Sequence, residues 1–305
     1  MKDKKHLISV LLALFVTFLW STSWVLIKTG LSDLPPITFA GLRYTLAAVI
    51  LILYLFIRGK AHEILLIERK MWKKLILLAL TMYFLTQGAQ YLGLAYLPTV
   101  QVSLILNFTP VLVMIFASKY INESPTKNNF IGIIVFLIGV LIYFFPMDTS
   151  WGSFLGYVVM IVGLFSNSIA TVLGRNINKS KTVSPLVITT ISMGIGGVLL
   201  LLTGIISEPF PDLSMNHVYL IGWLAVVNTA FAFTLWNKSM QVLTSIETSI
   251  INNTMLIQIA ILSWVVLKEE VTVKAVIAIL IVTIGAFLVQ YRRKNNKPSK
   301  VNISS

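Results

Sequence analysis

The sequence predicts an all-α polytopic membrane protein with ten transmembrane helices in two inverted five-helix repeats. Three observations carry that prediction. Of 305 residues, 57% are hydrophobic and only 11% are charged, where soluble domains carry charge on roughly a quarter of their residues. Apolar segments recur from near residue 7 to residue 291, many of them approaching the roughly 20 residues a helix needs to cross hydrocarbon. Finally, the two halves of the chain match one another at a nearly constant offset.

The segments run in order. The first, 7–27, follows "MKDKKH" in the manner of a signal peptide, but its apolar stretch is long and lacks a small-residue cleavage site, so it reads as an uncleaved span. The second, 36–57, opens on Pro36 and carries Arg43. The third and fourth, 72–94 and 99–118, are divided by Pro98. The fifth to eighth are 128–145, 153–174, 184–205 and 217–237. The ninth, 245–266, begins at a capping-box pattern of Thr244 and Glu247, and the tenth is 274–291.

Charge orients these spans. The net charge of +13 sits mainly in short connectors and reads as topology, not as a nucleic-acid surface. With the amino terminus inside, twenty of the 24 lysines and arginines fall on the cytoplasmic side. Lys28, Lys268 and Lys274 fall outside, and Arg43 remains within the membrane. That excess predicts both termini cytoplasmic and an even number of spans.

Sliding the chain by 146 residues places Ser103 on Ser249, Asn107 on Asn253, Glu123 on Glu269 and Gly139 on Gly285. Ser21 and Ser23 meet Ser166 and Ser168 at a related offset, and Pro36 meets Pro185. The expected units are therefore 1–147 and 148–305. An odd number of spans per unit inverts the second relative to the first, and inverted repeats expose a shared central site alternately to either side.

Intramembrane polar residues are the candidate site. Arg43 either snorkels to the outer headgroups or faces a water-filled cavity and binds an anionic group through paired hydrogen bonds. Trp20 and Trp24 share a helix face, as a pocket wall or as an interfacial anchor. Ser21 and Ser23 suit close helix packing. Gln87 and Tyr91 are an i,i+4 pair, and Asn107 precedes Pro110, where a kink is expected beside a polar cavity. In "TSIETSIINNTMLIQIA", Ser249, Asn252 and Asn253 share part of one surface. Glu247 is a helix cap or a proton-coupling and gating group, and Trp236 with Asn237 is a cytoplasmic gate or an interfacial anchor. Asn167, Asn228 and Thr229 are further polar interior residues.

Several chemistries are excluded. There are no cysteines and the three histidines are dispersed, so no metal site, cofactor or hydrolytic pattern is expected. The glycines of "SMGIGG" lack the lysine and the strand-to-helix setting of a phosphate loop and suit helix packing instead. Without a Walker A sequence, a proton gradient, a counter-substrate or a downhill gradient supplies direction.

The stretches "FLWSTSWVLIKTGLSDLPPITFAGLRYTLAA", "YLGLAYLPTVQVSLILNFTPVLVMIFAS" and "INESPTKNNFIGIIVFLIGV" resemble the EamA family of the drug/metabolite transporter superfamily. A diverged counterpart lies in the second half, "SMQVLTSIETSIINNTMLIQIAILSWVVLKEEVTVKAVIAILIVTIGAFLV". The resemblance covers nearly the whole chain. It implies a plasma-membrane carrier of two inverted five-helix repeats, often an exporter of amino acids, metabolites or toxic compounds. It maps the family's tryptophan, arginine and glutamate positions onto Trp20, Arg43 and Glu123, with Glu269 as the late counterpart, both glutamates organising connectors. The second repeat departs from the first, having no arginine opposite Arg43, Thr244 in place of Pro98 and Leu256 in place of Pro110. One central, unequal cavity is expected.

The expected function is secondary transport of a small amphipathic metabolite, an amino acid or related compound, by alternating access, with export favoured by the resemblance. The expected partners are that substrate and membrane lipids, with oligomeric state left open. A receptor or packing subunit, or a lipid-translocating protein, are the rival classes.

Overall fold

The computed structural model describes residues 2–113, 127–145, 150–180, 183–240, 242–243 and 245–290. The elements in chain order are α1 (Lys2–Gly30), α2 (Pro36–Ile57), α3 (His62–Leu65), α4 (Arg69–Leu78), α5 (Gln87–Tyr96) and α6 (Thr99–Leu106). They continue with α7 (Lys127–Phe144), α8 (Trp151–Ser180), α9 (Pro185–Ser207), α10 (Met215–Ala225), α11 (Ala232–Met240), α12 (Ser245–Leu262) and α13 (Val273–Gln290). Three π-helical segments interrupt this pattern: Ala79–Thr86 joins α4 to α5, Val226–Phe231 joins α10 to α11, and Ser263–Leu267 extends α12.

The chain is an all-α polytopic membrane bundle. Among the described residues, five helices are long and apolar enough to cross a bilayer: Lys5–Gly30, Pro36–Ile57, Arg69–Tyr96, Gly152–Asn178 and Pro185–Ser207. Four further apolar helices, Thr99–Val113, Phe130–Phe144, Ile251–Leu267 and Val273–Leu288, are shorter. The expectation of ten full-length spans is therefore met by five long helices, and each of the four shorter ones abuts residues or side chains outside the described set. The short helix α3 and the three π-helical segments were not expected from the sequence.

Polar side chains lie inside the bundle beside an apolar core, and many large apolar side chains face outward. Thr17, Ser21, Thr38, Arg43, Ser192 and Asn228 are each at most 4% exposed, whereas Leu7, Leu11, Phe15, Leu53, Phe56 and Leu141 face outward. Lipid offers no hydrophobic drive between helices, so close backbone approach and interior hydrogen bonds hold them together. α2 and α9 make such an approach. A Cβ on Gly204 would lie 2.6 Å from the Thr38 nitrogen, one on Gly197 2.9 Å from the Thr45 nitrogen, and one on Gly41 would meet the Leu201 backbone. α7 and α13 repeat the arrangement: a Cβ on Gly139 would lie 2.8 Å from the Val282 nitrogen, and one on Gly285 would meet Phe136. The "SMGIGG" glycines Gly196 and Gly197 thus serve packing, against Tyr83 and α2 respectively.

The helix ends are closed by side chains from elsewhere in the chain. α2 begins with Pro36 and has no side-chain cap of its own, leaving amides without intrahelical partners. Glu208, just past α9, accepts from Ile37 N at 3.0 Å, Thr38 N at 2.7 Å and Thr38 Oγ1 at 2.8 Å. α6 is capped alike: Glu269 accepts from Thr99 N at 3.0 and 3.1 Å and from Thr99 Oγ1 at 2.8 Å. Lys28 donates to the Leu94 and Leu97 carbonyls, at 2.9 Å for Leu97, and Lys274 donates to the Phe145 carbonyl. Two of the three basic residues assigned to the outer side therefore meet helix carboxyl ends, where the dipole favours a cation.

The element pattern repeats along the chain. α4 and α10 start at Arg69 and Met215, and α6 and α12 at Thr99 and Ser245, pairs that each differ by 146. The π-helical segments 79–86 and 226–231 coincide at the same offset to within one residue at either end.

Candidate functional site

Arg43 lies about two turns into α2, on the face that turns into the bundle, and is 4% exposed. It does not snorkel outward. Nε donates to Thr229 Oγ1 at 3.1 Å and Nη1 donates to Tyr91 Oη at 3.2 Å. The guanidinium carbon lies 5.2 Å from the Tyr44 ring centroid, a cation–π arrangement that offsets part of the cost of desolvating the charge. No carboxylate is within ion-pair distance of Arg43 among the described residues.

Two i,i+4 partners on α5 face α2. Tyr91 accepts from Arg43, and Gln87 Oε1 accepts from Tyr44 Oη at 2.6 Å. Phe39 meets Tyr91 edge to face at 5.2 Å, and Tyr83 meets Tyr44 at 6.0 Å. The adjacent dipeptide Arg43-Tyr44 thus sends one side chain to Tyr91 and the next to Gln87. Gln87 and Tyr91 lie on the helix that follows the first π-helical segment, and Thr229 lies within the second.

Those π-helical segments have a common internal feature. Thr86 Oγ1 donates to the Thr81 carbonyl at 2.7 Å, and Thr229 Oγ1 donates to the Leu224 carbonyl at 2.9 Å. Each bond reaches back five residues, where threonines in regular helix reach back three or four, as Thr190 does to Leu186 at 2.8 Å. A wider turn carries one extra residue and turns the following side chains onto a new face. Consecutive residues of the second segment therefore reach two helices: Asn228 Nδ2 donates to the Leu19 carbonyl and, at 3.2 Å, to Thr22 Oγ1 of α1, while Thr229 meets Arg43 of α2.

Trp20 and Trp236 meet in a second cluster. The Trp20 ring lies 5.1 Å from Trp236 and 5.4 Å from Phe233, and Phe233 also packs on the core containing Tyr44 and Tyr91. Both tryptophans are half-buried, whereas Trp24 is buried in the main core. Ser21 lies 2.8 Å from the Thr17 carbonyl and 3.0 Å from Gln258 Oε1, a link from α1 to α12, and Gln258 Nε2 donates to Thr254 Oγ1 at 3.0 Å.

The kink expected at Pro110 is present. α6 ends at Leu106, and Asn107 Nδ2 turns back to the Ser103 carbonyl at 2.8 Å. Pro110 has no N–H for the Leu106 carbonyl, which instead accepts from Thr109 Oγ1 at 2.6 Å; Thr109 in turn accepts from Asn167 Nδ2 at 2.9 Å. Asn253 is 6% exposed, and its Nδ2 has no partner among the described residues. Asn252 is exposed. The side chains of Ser249, Glu247 and Asn237, together with Thr244 and Glu123, lie outside the described residues.

Of the residues singled out from sequence, the structure thus joins Arg43, Gln87 and Tyr91 in one network and Trp20 with Trp236 in another. Asn107 and Asn253 enter neither. Tyr44 was not anticipated, and Thr229 was named without its link to Arg43. Among the described residues no group of three histidine, aspartate or glutamate side chains is placed to hold a metal ion.

The comparisons with known proteins agree with a transport fold. The model of the EamA-like transporter family matches residues 7–145 and again residues 154–291. The chain is 26% identical to the uncharacterized transporter YvbV of Bacillus subtilis (strain 168), covering 100% of this chain and 98% of that one. It is 24% identical to an S-adenosylmethionine/S-adenosylhomocysteine transporter of Chlamydia muridarum (strain MoPn / Nigg), over 93% of this chain and 92% of that protein. A protein of known crystal structure shares the fold with a TM-score of 0.68 at 17% identity, covering 92% of this chain and 95% of the other. The family is one of secondary transporters of small molecules, not of enzymes. With the family model matched twice over most of its length, this chain belongs to the EamA-like transporter family.

Proposed function

We propose that this protein moves a small carboxylate-bearing metabolite, an amino acid or a related compound, by alternating access between two inverted five-helix repeats, residues 1–147 and 148–305. The observation that carries the reading is Arg43, a guanidinium enclosed in the bundle whose partners are neutral hydroxyls. Removing such a charge from water costs several kcal/mol, and two neutral hydrogen bonds do not replace a counter-ion. An anionic substrate does. Guanidinium carries five N–H donors in a planar fork; Nε and one Nη1 hydrogen are engaged, and among the described residues the remaining three have no partner. Tyr91 accepts from Arg43 and keeps its own hydroxyl proton for a ligand. Together they form a donor set suited to a carboxylate.

The ten-span, inverted arrangement is supported by the shared 146-residue offset of helix starts and π-helical segments and by the double match of the family model. The odd span count per repeat inverts one against the other. The excess of basic residues in one set of connectors favours both termini in the cytoplasm, and membership of the family favours the plasma membrane. Trp20 and Trp236 form an aromatic wall beside the arginine network, and the buried Asn253 amide, without a partner among the described residues, is a further polar group for the route. A proton gradient acting through Glu247, or a counter-substrate, supplies the direction, and export is favoured. The chlamydial relative's named cargo, S-adenosylmethionine, ends in an amino-acid group, which is consistent with a carboxylate as the recognised end.

The test is flux into sealed proteoliposomes containing the purified protein, using isotope-labelled amino acids and S-adenosylmethionine. Saturable, protein-dependent uptake that falls at least a hundredfold in kcat/KM in Arg43→Gln is the expected result. Unchanged affinity and rate in that variant would reject Arg43 as the anion-binding group.

A further inference from the structure

We infer that Thr229 is the positioning residue for Arg43: a hydroxyl from the second half of the chain sets the angle at which an arginine of the first half presents its free edge to substrate. This rests on the reading of Arg43 given above. Three observations support it.

First, the hydroxyl is committed in one direction. Its single proton goes to the Leu224 carbonyl at 2.9 Å, so its oxygen meets Arg43 Nε only as an acceptor, at 3.1 Å. An Nε–H bond differs from an Nη bond because it fixes rotation of the whole guanidinium plane about the end of the side chain. With Nε tied to Thr229 and one Nη1 hydrogen to Tyr91, the plane has two anchors, and Nη2 has no partner among the described residues.

Second, the π-helical segment is what brings the hydroxyl there. In a regular helix each residue advances about 100° around the axis, so one extra residue in a turn shifts the register of faces by about that angle. Thr229 bonds five residues back where Thr190 bonds four. The neighbouring Asn228 meets α1 while Thr229 meets α2, and Thr229 is fully buried.

Third, the contact crosses between halves. Tyr91, Tyr44 and Gln87 belong to the same half as Arg43, whereas Thr229 does not. Among the guanidinium's partners in the described residues, Thr229 is therefore the one that ties the binding group to the second half of the chain.

The experiment compares, in proteoliposomes, isotope-labelled amino acids with the matching amino-acid amides, in which a neutral carboxamide replaces the carboxylate. Thr229→Val is expected to raise KM for the carboxylates about tenfold, with the maximal rate changed less than twofold and uptake of the amides unaltered. Thr229→Ser, which keeps the hydroxyl, is expected to restore the parent KM. Thr229→Ala serves if the valine variant does not fold, and is expected to behave as valine does. Parent KM and parent carboxylate preference in the valine and alanine variants would overturn the inference, as would a serine variant as defective as valine. If Arg43→Gln loses the carboxylate preference in that same assay, the anion-binding reading survives this failure. A parent protein with no carboxylate preference, or one retained in Arg43→Gln, overturns both.

Discussion

The segments Thr99–Val113 and Ser245–Leu267 start 146 residues apart and share an asparagine at the same position, Asn107 and Asn253, yet they are built differently. The first breaks after Leu106. The second runs as α12 to Leu262 and then widens into a π-helical segment. The difference follows from one residue, Pro110 against Leu256. Where proline removes an amide, the helix ends, Asn107 closes onto the Ser103 carbonyl, and Thr109 takes up the freed Leu106 carbonyl. Where leucine keeps the helix intact, Asn253 has no broken end to cap, and its Nδ2 stays buried without a partner among the described residues. A duplicated backbone scheme thus carries two different polar environments.

Moving the proline is the sharpest way to break this comparison. Leu256→Pro would free the Asn252 carbonyl, but the residue before it is Met255, which has no hydroxyl to do what Thr109 does. Leu256 is also 1% exposed in the second core cluster. The variant is expected to lose about 3 kcal/mol or more of stability, measured by denaturant unfolding in detergent micelles. A loss below about 1 kcal/mol would mean that the second segment tolerates the same break and that the asymmetry has another origin.

A smaller effect is expected from Thr109→Val, which keeps the shape and removes the hydroxyl. It leaves the Leu106 carbonyl and Asn167 Nδ2 without their present partner, at a cost of about 1–3 kcal/mol. Thr109→Ser is expected to recover most of it. If valine is neutral in the same unfolding measurement, water replaces the hydroxyl and the kink does not depend on Thr109.

Much of this organisation was legible in the sequence for definite physical reasons. Proline's missing amide makes the break at Pro110 readable from one letter, and apolar runs bounded by charged connectors mark the helices closely, as at Pro36–Ile57. Arg43, Gln87 and Tyr91 were visible as polar groups where lipid admits few. The π-helical segments were not legible, because their sequences, "ALTMYFLT" and "VVNTAF", keep an apolar composition and the extra residue per turn depends on tertiary contacts. Without them the face of Thr229 is assigned wrongly, and its bond to Arg43 is missed. Glu269 was assigned to organising a connector, but a carboxylate that caps a helix starting 170 residues away carries no local signal.

That cap gives a smaller expected effect again and links the two compared segments directly. Glu269 follows the π-helical end of the second segment and holds the start of the first, placing both carboxylate oxygens on Thr99 N at 3.0 and 3.1 Å. Glu63 offers a weaker version at α9, with one bond from Ser184 N at 3.4 Å and Lys60 at 3.8 Å. Glu269→Gln retains one acceptor oxygen but loses the charge that favours a helix amino end, so it is expected to cost about 1 kcal/mol. Glu63→Gln is expected to cost a few tenths of a kcal/mol at most, because its one backbone bond is long and Lys60 is solvated. The Ser184 hydrogen bond, opposed by slight burial and aided by Lys60, holds the Glu63 carboxyl below the usual carboxylate range. A carboxyl lowered on folding contributes stability above its unfolded pKa and loses it as pH falls through its folded one, so the small difference between parent and Glu63→Gln should be present at neutral pH and disappear in acid. Equal costs for the two glutamine variants at neutral pH would show that the double contact at Thr99 adds nothing to a single one, and that the second segment does not hold the first through Glu269.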